Sequence, residues 1–323
     1  MNATTLGRWI TSAMGLALTA ATLPAAAQTS YPDRPIRIVI PYAAGGGTDI
    51  LMRYLMQRVE VNEQFRIIID NRPGATGAIG AREVARARPD GYTLLAGHIA
   101  PNAINPGDFT DPRFAPDWPL TEVAMAAEAP SLLLVQGDLG ISNVGGLKKW
   151  LREQKNPTYG SDGLGSLAHL QMEFLMGGFA MTHVPYKGGG PAIQGFITSE
   201  VPILFSPAPV AMGFLSSAKV RAIAQTGATR LTTLPNIPTM VEAGEKDFSA
   251  PLWWGLFAPV GTPDDLKQRW NTATNRALAE PTVIKWLGEQ GYTPRPMSVN
   301  DFRAYVEREV KRWAKVVATI NSR

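Results

Sequence analysis

The chain of 323 residues contains no cysteine. Disulfides, thiolate nucleophiles and cysteine-held zinc or iron–sulfur centres are therefore excluded. Histidine is nearly as scarce: His98, His169 and His183 are the three in the chain. They show no i, i+4 pairing and no neighbouring carboxylate cluster, so neither a metal site nor a cofactor is expected. No run of basic residues occurs, which excludes the electrostatic footprint of a nucleic-acid binder. Beyond the N-terminus no apolar stretch approaches the ~20 residues that span a bilayer. The nucleophile elbow Gly-x-Ser-x-Gly is absent, and no short internal repeat is present.

Residues 1–27 read as a leader rather than as part of the fold. Arg8 supplies a basic start, Trp9 to Leu23 is mostly apolar, and Ala25-Ala26-Ala27 has the small-x-small form of a secretory cleavage site. A soluble, exported protein is expected, cut near Ala27. Without the leader, 30 bases face 27 acids. An exported chain without disulfides must rely on its core, and this one is long enough for two domains.

Ile36–Ile40 is an apolar, β-branched run that reads as a buried strand. Leu51, Leu55 and Val59 then recur at helical spacing, predicting a helix over Asp49–Val59. Phe65–Ile69 is the next strand, Ile79–Ala87 the next helix and Tyr92–Ala96 the third strand. This alternation is the grammar of a parallel α/β sheet. Residues Asn102 to Leu120 look irregular, followed by apolar segments Val123–Glu128 and Ser131–Gln136 on either side of Pro130. The grammar then recurs: a helix over Leu147–Gln154 after Gly145-Gly146, a strand ending at Thr158-Tyr159, a helix over Leu167–Met176 and a strand over Thr182–Tyr186. Pro191 is placed at the start of a further helix, and Val201–Phe205 and Ala222–Thr226 are strands. Trp253–Pro259 reads as a strand returning to the first lobe. Helices Pro263–Leu278, Thr282–Gln290 and Asp301–Ile320 need a surface to cover, and the first sheet is the candidate. The expected domains are residues 28–128 plus 251–323 as one lobe and 129–250 as the other.

One device occurs three times. Glycine-rich strand-to-helix turns lie at Ala44–Asp49, Gly160–Ser166 and Lys187–Pro191. Glycine lets the backbone turn sharply and approach a ligand, Thr48 or Asp49 can cap the helix that follows, and a helix N-terminus favours an anion. In open α/β sheets such turns sit at the carboxyl edge, where ligands bind. A small carboxylate held between the lobes by Thr48, Ser161, Ser166 and the backbone N–H groups of Gly46, Gly47 and Gly165 is the expectation. Lys187 offers the full positive charge within these turns. Three ordinary βα turns without a ligand are the plain alternative.

Other chemistries fare worse. Gly163-x-Gly165-x-x-Ala168 has the outline of a dinucleotide fingerprint, but no acid follows about twenty residues on. Ser161, Asp162 and His169 share one segment, which keeps a secreted serine hydrolase open as an alternative. A loop serine before a helix is nevertheless more often a cap than a nucleophile. His169 and His183 read as groups that orient loops or sit satisfied in the core. Trp253 and Trp254 either stack on an aromatic ligand or belong to the core.

A set of motifs carries a resemblance over the whole mature chain. They are Tyr31-Pro32-Asp33-Arg34-Pro35, Pro41-Tyr42-Ala43-Ala44-Gly45-Gly46-Gly47-Thr48-Asp49, Asn71-Arg72-Pro73-Gly74-Ala75, Pro89-Asp90-Gly91-Tyr92-Thr93 and Ala103-Ile104-Asn105-Pro106. Further on come His183-Val184-Pro185-Tyr186-Lys187-Gly188, Leu234-Pro235-Asn236-Ile237-Pro238-Thr239 and Gly255-Leu256-Phe257-Ala258-Pro259. In this order the chain resembles the Bug receptors, the periplasmic binding proteins of tripartite tricarboxylate transporters. The resemblance implies a two-lobed α/β periplasmic-binding-protein (Venus flytrap) fold, each lobe a mostly parallel sheet flanked by helices. It implies a monomeric, non-enzymatic receptor that closes on a small carboxylate and delivers it to membrane transporter subunits. A sensor feeding a membrane kinase would share the same pocket.

In the resembled family the turn matching Tyr42, Ala44 and Gly46–Asp49 holds a ligand carboxylate. The turn with Ser161, Gly163, Gly165 and Ser166, and the Tyr186-Lys187-Gly188 segment, approach from the other lobe. His98, His169 and Ser206 are expected to shape the remaining walls. Two departures bear on the ligand. Many relatives carry Asp-Asn where this chain has Ser206-Pro207, and Thr-His where it has Pro101-Asn102. Loss of the first acid disfavours an amino acid and favours a dicarboxylate or an aromatic acid such as terephthalate.

Overall fold

The computed structural model describes residues 31–104, 119–177, 179–246, 248 and 250–321. The expected leader, and Asn105-Pro106 with most of the irregular segment that follows, lie outside the described residues. The chain opens with β1 (Ile36–Ile40), α1 (Gly47–Glu63), β2 (Ile67–Asn71), α2 (Ala78–Ala85), β3 (Thr93–His98) and β4 (Leu120–Ala129). After Pro130 come β5 (Ser131–Gln136), α3 (Val144–Glu153), β6 (Thr158–Ser161), α4 (Leu167–Met176), β7 (Thr182–Pro185), α5 (Gly189–Ile197), β8 (Ile203–Pro207), α6 (Ala208–Ala211) and β9 (Val220–Gln225). The chain closes with β10 (Leu252–Pro259), α7 (Asp264–Leu278), α8 (Pro281–Glu289), β11 (Thr293–Pro294) and α9 (Val299–Asn321).

Among the described residues the strands form two sheets, ordered β11-β4-β10-β3-β1-β2 and β7-β6-β8-β5-β9. In the first, β1 lies parallel between β2 and β3, with Ile38 opposite both Ile69 and Leu94. β10 runs antiparallel to β3 and β4. In the second, β6 is parallel to β7 and β8, and β5 is antiparallel to β8 and β9. Strand direction is thus shared throughout each sheet except by β10 and the two-residue β11 in one and by β5 in the other. The opposed strands reflect the way the chain passes between sheets. β4 of the first leads through Pro130 straight into β5 of the second, and β10 brings the chain back.

The inner strands β5 and β10 are buried along their whole length and read as nearly unbroken apolar runs, as strands covered on both faces do. β5 shows why: Leu133 and Val135 pack into one core with Leu147, Tyr159, Met172 and Phe205. Leu132 and Leu134 alternate into a second core with Ile193, Phe196, Val201 and Leu204. The C-terminal helices cover the first sheet as expected: Phe302 and Trp313 are buried, and Trp253 meets Phe302 edge-on at 6.0 Å. From α7, Asn271 Nδ2 donates to the Val123 carbonyl of β4 at 2.9 Å.

Several boundaries differ from the sequence reading, each for a local reason. β2 begins two residues later than expected, because Phe65 turns aside to pack on Trp270 and the Ile67 N–H is taken by Glu60. α3 starts before its glycine pair because the Asn143 side chain accepts the Gly146 N–H at 2.8 Å and caps it. Pro191 is the third rather than the first helical residue of α5, since Gly188 with φ of 121° turns the chain ahead of Gly189. Of the remaining ends, α1 runs on to Glu63 rather than stopping at Val59 and β4 starts at Leu120 rather than Val123; the others, β8 and β9 included, move by two residues or fewer, the usual uncertainty of element ends.

The two crossings between sheets are stitched together by Thr226. Its Oγ1 accepts the Ser131 N–H at 2.9 Å and donates to the Ala250 carbonyl at 3.2 Å. Its N–H donates to Ser131 O, and its carbonyl accepts from Ala250 N. Thr226 is wholly buried. Thr226→Val keeps the shape and removes the hydroxyl, leaving the buried Ser131 N–H without its acceptor, while the Ala250 carbonyl keeps Gln171 Nε2 at 3.1 Å. Urea unfolding should show a loss of about 1–3 kcal/mol; a variant as stable as the parent would show that the hydroxyl does not join the crossings.

Candidate functional site

The first glycine turn follows β1 and leads into α1. Gly46 is the N-cap, its carbonyl accepting the Ile50 N–H at 3.0 Å, and no side chain caps the helix. Thr48 and Asp49, expected as caps, therefore sit in the first turn instead. The Asp49 carboxylate reaches back to the Gly45 N–H at 3.0 Å and also takes Arg53 Nε at 2.9 Å and Asn71 Nδ2 at 3.0 Å. Burial pushes its pKa up, but these donors outweigh that and hold it below the usual carboxylate range. Asp49 braces the turn. Thr48 is buried, and its Oγ1 accepts the indole N–H of Trp254 at 2.8 Å. A hydroxyl that accepts there still has its own proton to donate. Tyr292 meets Trp254 edge-on and donates to the Gly47 carbonyl at 2.7 Å. β10 and the residue before β11 thereby fix the start of α1, whose first N–H groups have no intrahelical partner.

The turns of the second sheet come up against this one. Tyr42 donates to the Thr76 carbonyl at 2.7 Å, and the Thr76 hydroxyl donates to the Leu164 carbonyl at 2.5 Å. Gly163, with φ of 139°, allows that approach: a β-carbon there would lie 2.9 Å from Thr76 Oγ1. At Gly190 a β-carbon would lie 3.3 Å from the Ala44 carbonyl oxygen. Between them is a cavity of about 530 Å³, lined from one side by Tyr42, Thr76 and Ile79 and from the other by Asp162, Leu164, Pro185, Tyr186 and Lys187. A second cavity, about 370 Å³, lies at the sheet crossings beside Pro130, Arg230 and Thr293. None of the three glycine turns lines it.

The second glycine turn is held from within. Ser166 caps α4, accepting the His169 N–H at 3.2 Å, and its hydroxyl is bonded to the Asp162 carboxylate. Ser161, wholly buried, accepts the Gly163 N–H at 3.1 Å and lies 2.6 Å from His183 Nε2. A serine beside a histidine is the geometry a hydrolase needs, but this one is sealed from solvent and bound into its own turn. His169 Nδ1 accepts the Gly165 N–H at 3.2 Å, and the His169 and His183 rings stack at 4.2 Å. Both histidines hold the turn by hydrogen bonding, in keeping with their sequence reading.

Of the other expected site residues, His98 stacks on Tyr42 at 4.3 Å and accepts the Ala100 N–H through Nδ1. Gly188 caps α5, and the Tyr186 phenol donates to Glu200 at 2.8 Å. Pro207 approaches Gly47. Ser206 Oγ and Asn102 Oδ1 are buried without hydrogen-bond partners. Trp253 and Trp254 are both fully buried. Thr76, Ile79, Asp162 and Leu164 line the cavity yet were not foreseen as site residues. The Asn71–Gly77 turn residues were the available signal for the first two, and the acid inside a glycine turn for the third.

Comparison with known proteins settles the family. The family model described as "Tripartite tricarboxylate transporter family receptor" matches residues 52–322. The chain belongs to that family. It is 31% identical to the protein BugT of Bordetella pertussis over 91% of each chain. Among solved structures, an R. palustris protein with adipate shares 32% identity at a TM-score of 0.86, covering 90% of this chain and 98% of that one. MatC from Rhodopseudomonas palustris with bound malate shares 31% identity at a TM-score of 0.84, covering 89% and 100%. This chain is thus a Bug-type solute receptor with the two-lobed binding-protein fold.

In this receptor the histidines titrate far from their ordinary range. Burial pushes His98 down to about 3 and His169 to about 4, and burial aided by the neighbouring His169 pushes His183 to about 4. Unfolded histidines protonate near pH 6.5, so between 6.5 and 4 the unfolded chain binds more protons. Stability should be complete above pH 6.5 and fall as the pH drops toward 4. Melting temperatures measured from pH 7.5 to 4.5 test this, and His169→Asn, which keeps an acceptor for Gly165, should flatten the decline. A melting temperature unchanged down to pH 5 would contradict it.

Proposed function

We propose that this receptor captures a small carboxylate, a dicarboxylate or an aromatic acid, between its lobes in the periplasm. As a monomer freed of its leader, it then hands the acid to the membrane subunits of a tripartite tricarboxylate-type transporter. The observation that carries the reading is one cavity walled from the first sheet by Tyr42 and the Gly74–Gly77 turn and from the second by Asp162–Leu164 and Pro185–Lys187. The adipate and malate seen in two relatives support a carboxylate. The lobes join at Pro130 and through residues 227–251, so the first comprises residues 28–128 plus 251–323 and the second 129–250. A ligand that touches both biases the hinge toward closure.

Thr48, with the N–H groups of Gly46 and Gly47, binds the carboxylate; Tyr42, Ala44, His98 and Asn102 form the wall of the first lobe. Gly163, Gly165, Tyr186, Lys187, Gly188, Ser206 and Pro207 form the wall of the second. Asp49, Ser161, Ser166 and His169 act by holding the turns in shape. Anion recognition here uses helix dipole and neutral donors, which discriminate by geometry more than by charge.

A thermal-shift screen of the mature protein against di- and tricarboxylates, aromatic acids including terephthalate and protocatechuate, and acidic amino acids tests the reading. A ligand at a hundredfold excess over its dissociation constant stabilises the fold by about 2.7 kcal/mol. Thr48→Ser should keep the shift, and Thr48→Ala should weaken binding about tenfold or more, the scale of one hydrogen bond to a charged group. If no carboxylate shifts the transition, the receptor does not take carboxylates.

A further inference from the structure

The two walls of the cavity bond to each other directly. Thr76, in the turn between β2 and α2, donates its hydroxyl at 2.5 Å to the Leu164 carbonyl, in the turn between β6 and α4. The turn that carries Thr76 has an uncommon backbone: Gly74, Ala75, Thr76 and Gly77 all have positive φ, of 133°, 46°, 50° and 94°. Glycine adopts this region freely, whereas a β-branched residue there crowds its own backbone and persists only where its surroundings fix it. Thr76 is buried and fixed at three points. The Gly77 N–H closes the turn onto the Gly74 carbonyl at 3.0 Å, the Tyr42 phenol donates to the Thr76 carbonyl at 2.7 Å, and Leu164 takes the hydroxyl. Tyr42 is itself buried and stacked on His98. Across the cavity the residues flanking Leu164 are bonded within their own turn, the Gly163 N–H to Ser161 Oγ at 3.1 Å and the Gly165 N–H to His169 Nδ1 at 3.2 Å.

Donor and acceptor are each braced by bonds within their own wall, and the bond between them runs from protein to protein without passing through a solute. We infer that Thr76 is a clasp between the lobes: its hydroxyl stabilises the closed form directly, so closure depends on Thr76 as well as on the solute held. When the walls part, water satisfies both groups. The gain on closing is therefore that of one ordinary hydrogen bond, about three- to tenfold in the closed-to-open ratio. The apparent affinity for a solute scales with the fraction of receptor that is competent to hold it. Loss of the clasp thus weakens every solute by a common factor, whereas loss of a residue that touches the solute changes their order. Thr76 is in this sense a positioning residue. The inference rests on the two-lobed hinge of the receptor reading and not on the identity of the solute.

Because the chain has no cysteine, a fluorophore pair can be placed at Gln57→Cys in α1 and Lys155→Cys just beyond α3, both exposed and one on each lobe. Single-molecule energy transfer in the mature receptor without added solute should show an open and a closed population. Their closed-to-open ratio should fall about three- to tenfold in Thr76→Ala and Thr76→Gly, and Thr76→Ser, which keeps the hydroxyl, should hold it near the parent value. Melting temperatures separate closure from folding: Thr76→Gly relieves the crowded backbone, so it should melt no lower than the parent while losing the closed form. Isothermal titration with adipate, malate and terephthalate should show Thr76→Ala weakening each acid that binds by one common factor, about tenfold at most. An unchanged distance distribution in Thr76→Ala, a Thr76→Ser variant as open as Thr76→Ala, or a changed order among the acids would overturn the inference. If none of the acids binds, the carboxylate reading fails alone, since the distance measurement needs no solute and still decides whether Thr76 is a clasp.

Discussion

The structure depends on the two places where the chain crosses between sheets, and on their being bonded to each other. β4 runs through Pro130 into β5, and Thr226 and Ala250 lie beside it where the chain returns. Thr226 ties the two together through both its backbone and its hydroxyl. A pair of strands linked in this way bends more easily than it shears, because shear would break the ladder and bending need not. The Ala208 N–H bonded to Pro130 O adds a third tie at the same point. With the crossings fixed, the turns at the carboxyl edges of the two sheets have one place to meet.

Among the described residues that line the cavity, Lys187 alone carries a full positive charge, and it is exposed. Desolvating an arginine or lysine to meet a carboxylate costs heavily unless the pair is well matched. Neutral donors cost less to bury and still favour an anion at a helix start. The supports of the first turn follow from this choice. Trp254, Tyr292, Asp49 and Asn71 each bond to a turn atom, so that the start of α1 is fixed in place. Donors fixed in place need no reordering when an anion arrives.

The second turn is built by the opposite logic. Its hydroxyls and N–H groups face inward, onto the stacked histidines and onto each other, and burial keeps those histidines neutral at physiological pH. Neutral imidazole is what the arrangement needs, since His169 accepts a hydrogen bond through a nitrogen that protonation would occupy. The Asp162 carboxyl is raised above its ordinary range by burial, partly offset by Ser166 and its own N–H. The two turns therefore differ chemically even though both are strand–glycine–helix junctions.

By itself the sequence determined the alternation of strands and helices, the three glycine turns, the return of the Trp253–Pro259 strand to the first sheet and the family. All of these rest on short-range signals: apolar periodicity, turn residues and ordered motifs. Tertiary structure decided which polar groups remain available to a ligand. Ser161 and Ser166 look like free hydroxyls in the sequence because their partners include His183, twenty-two residues away, and a capping geometry that exists only once α4 forms. Thr76 and Leu164 lie 88 residues apart and meet only across the cleft. Hydrogen-bond satisfaction is a property of the folded neighbourhood, so a residue type can announce a turn while leaving open whether its oxygen faces the ligand or its own backbone.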